Sequence, residues 1–139
     1  MPAPFRIMEH QADVGITAYG QTMEQTFGNA ALGMFTILSD LTSVDESETV
    51  EVVVKGTNPE ELLFNLLDDL LYRFEVDGFL ARRVEVKRFT KRQVEATAYG
   101  EEKSRHHHIK REIKCVTYHK MKVEQASDGN WKVQVYFDL

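Results

Sequence analysis

Apolar and polar positions along the chain change period several times, and each change marks an element. Phe5-Arg6-Ile7-Met8 reads as a short strand. Val14, Ile16 and Ala18 recur at period two as one face of a second, which Gly20 ends. Thr22 with Gln25 three residues on forms a capping box, and Phe27, Ala30, Ala31, Met34, Phe35 and Leu38 then keep the spacing of an amphipathic helix to about Ser39. Asp40 to Glu48 is mostly polar and aperiodic, so it connects. Thr49 to Lys55 is β-branched enough for a strand closed by Gly56. Asn58-Pro59-Glu60-Glu61 caps a second helix, because Asn accepts from free amides and Pro suits the first helical turn. Leu62, Leu63, Leu66, Leu67, Leu70, Leu71 and Phe74 give that helix a wide apolar stripe, so it is expected to be the most deeply packed element.

After Gly78 only strand patterns follow. Arg83 to Phe89 and Gln93 to Tyr99 flank Thr90-Lys91-Arg92 as a hairpin, and Glu112 to Glu124 and Trp131 to Asp138 flank Ser127-Asp128-Gly129 as another. The fold class is therefore α+β: two amphipathic helices packed on a mainly antiparallel sheet, in one domain over residues 1–139. In the last hairpin, matching apolar to apolar requires an odd-numbered loop, such as three residues with Gly129 left-handed. That register sets Val123 against Val133, Met121 against Val135 and His119 against Phe137. Barring a bulge, Asp138 then lies opposite Tyr118 and Leu139 near Thr117.

Length and composition are those of an ordinary globular domain: 139 residues, 42% apolar and 28% charged. A chain of this size buries enough surface to be stable without a disulfide or structural metal. The single cysteine, Cys115, points to a reducing compartment. With no signal-peptide pattern and no stretch of membrane-spanning length, the expected location is cytoplasmic, with no membrane partner. A formal net charge of −5 argues against strong direct nucleic-acid binding. Basic residues do cluster, at Arg82, Arg83, Lys87, Arg88, Lys91 and Arg92 and again from Lys103 to Lys114. They read either as solvated strand edges or as a face for an acidic partner or for RNA held by one.

The chemistry concentrates at the two ends. Glu9-His10-Gln11-Ala12-Asp13-Val14-Gly15 places three titratable groups in one loop, and Asp138 adjoins the carboxylate of Leu139. Asp13, Asp138 and that carboxylate are hard oxygen donors, the type that suits calcium, magnesium or manganese. Three such anions brought together repel unless a cation or protons intervene. The alternative is a capping Asp13 and a frayed terminus. Asp68 and Asp69 point about 100° apart on their helix and read as a solvated face. Three consecutive histidines, His106 to His108, cannot all face one metal from an extended segment, and one of them is expected to be used structurally. His119 is expected either buried against backbone or orienting a site group, and Cys115, on the face of Ile113, as a small core residue. There is no Gly-rich phosphate loop, no G-x-S-x-G and no paired cysteine set.

Taken together, the first motif, Phe27-Gly28-Asn29-Ala30-Ala31-Leu32-Gly33-Met34-Phe35, Leu66 to Tyr72, Tyr99-Gly100-Glu101, His107, Glu112 to His119 and Tyr136-Phe137-Asp138-Leu139 resemble the archease family over nearly the whole chain. The resemblance implies a small α+β cofactor protein that is not an enzyme. It implies activation of an RtcB-type tRNA-splicing ligase by promoting its guanylylation and multiple turnover, or a chaperone-like role toward a tRNA methyltransferase. It further implies a divalent metal, calcium first among the candidates, held by Asp13, Asp138 and Leu139. Glu9, His10, Glu112, Lys114 and His119 stand as further functional or supporting positions. Gln11 replaces the family's usual Thr, and Arg111 and Cys115 its usual Thr and Ala. A small hydrolase built on His10, Asp13 and His119 is the rival reading; it would require turnover with no ligase present.

Overall fold

The computed structural model describes residues 3–9, 13–104 and 107–139, with Glu9 entering through its backbone only. Strand β1 (Phe5–Glu9) and β2 (Asp13–Gly20) lead into helix α1 (Met23–Leu38); β3 (Glu48–Lys55) leads into α2 (Pro59–Asp77). Strands β4 (Phe79–Phe89), β5 (Gln93–Glu102), β6 (Cys115–Gln125) and β7 (Trp131–Asp138) complete the order. The strands form two sheets rather than one. A four-stranded sheet runs β1-β2-β7-β6 and a three-stranded one β3-β5-β4, with every pairing antiparallel.

Both helix starts form as the sequence specifies. Thr22 accepts from the Gln25 amide while the Gln25 side chain accepts from the Gln21 amide, and Asn58 accepts from the Glu61 amide with Pro59 in the first turn. Gly78 ends α2 in the left-handed region, φ 71°, where a side chain would be strained. Helix α1 packs on β2 and β4, and α2 on β3 and β6, so each helix bridges the two sheets. Their stripes meet the inward faces of both sheets: Phe27, Met34, Phe35 and the α2 leucines are buried with Val14, Ile16, Val133, Val135 and Phe137.

The last hairpin departs from the simple register at one place. Its turn is as expected, with the Gly129 amide donating to Ala126 O and Gly129 at φ 92°, and Val123 faces Val133. Beyond Lys122↔Gln134, however, the pairing slips, and it resumes at Thr117↔Tyr136. Four residues of β6, Tyr118 to Met121, stand where β7 offers one, Val135. Lys120 takes a left-handed conformation at φ 55°, and its carbonyl accepts from the Gln134 side-chain amide. The expected pairs Met121–Val135, His119–Phe137 and Tyr118–Asp138 are therefore replaced. Val116 faces Phe137, and Cys115 faces Asp138.

Candidate functional site

The site is set by side-chain alternation on β2 and β7, which pair although they lie far apart in the sequence. Val14 and Phe137 are fully buried and face each other. The next position outward must point to the opposite face, away from α1, and there Asp13 sits directly opposite Asp138. Directly opposed residues in an antiparallel pair have Cα atoms about 4.5–5.5 Å apart, close enough for two carboxylates to interact. The Asp13 Oδ1 atom is buried and has no hydrogen-bond partner among the described residues.

Cys115 extends the row across the third strand. Its thiol donates to Asp138 Oδ2 at 3.4 Å. The residue is exposed, not part of the core, because the bulge carries it to the carboxylate face; Ile113 alone is buried, in the irregular segment before β6. Partial burial of the thiol, its hydrogen bond to Asp138 and the charges of Asp138 and Asp68 push its pKa above the ordinary value.

One row further in, Gly15 opposes Tyr136, which in turn opposes Thr117. A side chain at Gly15 would place its Cβ 2.7 Å from the Tyr136 ring, so glycine lets that ring lie across the sheet beneath the carboxylates. The Thr117 hydroxyl donates to Tyr136 O at 3.1 Å. The motif's glycine and the terminal tyrosine are thus two sides of one contact. Their link was not visible from spacing alone.

The other expected positions fall elsewhere. The Lys114 amide donates to Asp138 O at 2.8 Å, but its exposed side chain lines a cleft of about 400 Å³ with Lys55, Asn65, Asp68, Asp69 and Tyr72. Glu112 is exposed. His119 is exposed inside the bulge, neither buried nor on the apolar face; its ring centroid lies 6.0 Å from that of Tyr136. Beside it, Tyr118 stacks on Phe64 of α2 at 4.1 Å, and burial, then the charges of Glu61 and Asp68, raise its pKa. Leu139 packs its side chain against the core. The expectations for His10 and for the Glu9 side chain fall outside the described residues.

Of the run His106 to His108, His106 lies outside the described residues, His108 is exposed, and His107 is used inside the fold. Its side chain is fully buried, Nδ1 accepts from the Ser104 amide at 2.8 Å, and Nε2 lies 3.2 Å from Glu101 Oε1. Since Nδ1 accepts, the ring hydrogen of the neutral form sits on Nε2, facing the carboxylate. The basic run on β4 is largely matched within the protein: Arg83 meets Glu46 and Glu85, Lys87 meets Glu85, and Arg88 approaches Glu95. Asp69 pairs with Arg73 at 2.6 Å. These are solvated strand and helix faces.

Among the described residues, no three His, Cys, Asp or Glu side chains form a metal-ligand cluster. An ion at the aspartate pair would draw its remaining oxygens from other groups. The pair itself fits a hard cation: two opposed carboxylates, one with a buried oxygen lacking a partner among the described residues.

The two-sheet α+β fold is also found in known proteins. The model of the Archease protein family matches residues 5–139. The archease of Pyrococcus abyssi is 38% identical over 135 residues, covering 94% of this chain and 95% of that protein. The archease of Methanosarcina mazei is 36% identical, with 97% and 95% covered. The solution structure of Methanobacterium thermoautotrophicum protein 1598 superposes with a TM-score of 0.87 at 34% identity, covering 98% of this chain and 99% of that one. A Thermotoga maritima archease, described as a possible chaperone, shares the fold at a TM-score of 0.62 and 22% identity. The chain belongs to the archease family. Among the described residues, no helix is long and apolar enough to cross a membrane.

Proposed function

We propose that this archease is a non-enzymatic activator of an RtcB-type tRNA-splicing ligase, and that Asp13, Asp138 and the Leu139 carboxylate hold a divalent cation, calcium first, magnesium or manganese otherwise. The observation that carries the reading is the direct opposition of Asp13 and Asp138, with Asp13 Oδ1 buried and unpartnered among the described residues. Leaving a buried charged oxygen without a donor costs a few kcal/mol, which a cation or a donor from a partner would offset. When bound, the ion supplies positive charge that can neutralise phosphate oxygens near the docking surface.

What the chain's own residues do is hold that charge at the rim of a rigid sheet. Val14 and Phe137 anchor the two strands in the core, so the carboxylates cannot drift apart without unpacking it. The Tyr136 ring, on the same face as the carboxylates, fills the space over Gly15. The net charge of −5 fits a protein that meets RNA through a partner.

The test is single-turnover guanylylation of the cognate ligase with wild type, Asp13→Ala and Asp138→Ala. Each substitution is expected to lower the activated rate at least tenfold. Full activity in both sinks the role of the pair. A second reading, a chaperone-like module for a tRNA-modifying enzyme such as a methyltransferase, draws on the description of the Thermotoga relative. Adding one residue after Leu139 separates the two: it moves the terminal carboxylate and impairs cation-dependent activation, but leaves simple docking intact.

A further inference from the structure

Asp138 is an exposed residue at the end of β7, and a carboxylate there turns freely unless something holds it. Cys115 does so. The two residues are directly opposed across β6 and β7, and the thiol reaches Asp138 Oδ2 at 3.4 Å. Asp13 flanks Asp138 on its other side, so the middle carboxylate of the row has one oxygen engaged by the thiol. We infer that Cys115 is a positioning residue of the aspartate pair: by engaging Oδ2 it fixes how the second Asp138 oxygen is presented beside Asp13, and so sets the pair's affinity for a hard divalent cation.

The placement depends on the bulge. Had the register of Lys122↔Gln134 continued without the slip, Tyr118 would face Asp138 and no thiol would stand in the row. A thiol is a weak donor and a poor ligand for calcium or magnesium, so its contribution runs through the orientation of Asp138. Groups that orient metal ligands in this way typically contribute 10–100-fold in affinity; for a single thiol about tenfold is expected.

The inference rests on the reading of Asp13 and Asp138 as cation ligands, and the experiment separates the two. Mn²⁺ alone is titrated calorimetrically into wild type, Cys115→Ala, Cys115→Ser, Asp13→Asn and Asp138→Asn, with melting curves to verify folding. Cys115→Ala is expected to weaken Mn²⁺ about tenfold, and Cys115→Ser, which keeps a donor, to restore most of it. Equal or tighter binding by Cys115→Ala, or a serine variant no better than alanine, overturns the positioning role while losses in the Asp variants leave the pair standing. Unchanged binding in both Asp variants overturns the pair and the inference with it.

Discussion

Replacing Asp13 by Asn should make the cation-free protein more stable, an unusual outcome for a substitution at a site. If the carboxylates stand about as far apart as the ~5 Å between opposed Cα atoms, two unit charges repel by roughly 0.8–3 kcal/mol for effective dielectric constants between 80 and 20. The row lies at the rim of the sheet, so the lower part of that range applies, about 1 kcal/mol. An Asn amide can also donate to Asp138, adding about 1 kcal/mol at an edge where Asp13 Oδ1 has no partner among the described residues. For a domain of this size 1 kcal/mol moves the melting temperature by about 3–5 °C. In EDTA, Asp13→Asn should therefore melt about 3–10 °C above wild type by calorimetry or circular dichroism. With Ca²⁺ or Mn²⁺ at a hundred times its dissociation constant, wild type should gain about 2.7 kcal/mol and the variant little, so the order reverses. A variant that melts below wild type in EDTA, with cation shifting both equally, would refute the argument from opposed carboxylates.

Other expectations follow from named contacts. Gly100→Ala would put a Cβ 1.8 Å from Leu80 O, beside the irregular pairing of β4 and β5, so it should destabilise by more than about 3 kcal/mol and lower the melting temperature by 10 °C or more. His107→Ala removes a buried ring that receives the Ser104 amide and faces Glu101; a loss of about 2–3 kcal/mol is expected, with faster limited proteolysis across residues 103–114. Alkylation of Cys115 by iodoacetamide should show a pH midpoint above the ~8.5 of a free thiol, because partial burial and Asp138 disfavour the thiolate; a midpoint at or below that value contradicts the contact.

The helices were readable because their apolar stripes and caps are local. Thr22, Asn58 and Gly78 each act within a few residues of their own position, and the structure uses each as its neighbours imply. The turn at Gly129 was readable for the same reason. The division into two sheets was not, since it depends on which strands α1 and α2 hold together, and strand periodicity carries no information on partners. At the site, Asp13 and Asp138 stood out as residues, but their opposition depends on β2 pairing with β7 from the far end of the chain. The row's third member was hidden by the bulge: Lys120 is not a glycine, so nothing in the sequence announces its left-handed backbone, and the slip moves Cys115 from the expected core to the rim. Likewise, His119 lost its expected place on the apolar face because it lies inside the slipped segment.

The central position of β7 has a consequence for how the protein comes off the ribosome. Strand β7 follows β6 in chain order and lies between β2 and β6, so β2 waits from early in translation with one open row of amides and carbonyls, and β6 joins it only shortly before β7 emerges. The four-stranded sheet can close only after Trp131 to Asp138 has emerged, by a pairing of high contact order and correspondingly slow formation. A chain released early, before Trp131, would lack the strand that joins the halves of the sheet and would present two sticky edges to its neighbours. Such fragments should aggregate or be degraded rather than accumulate as partly active protein, so only chains carried through β7 would present the paired aspartates.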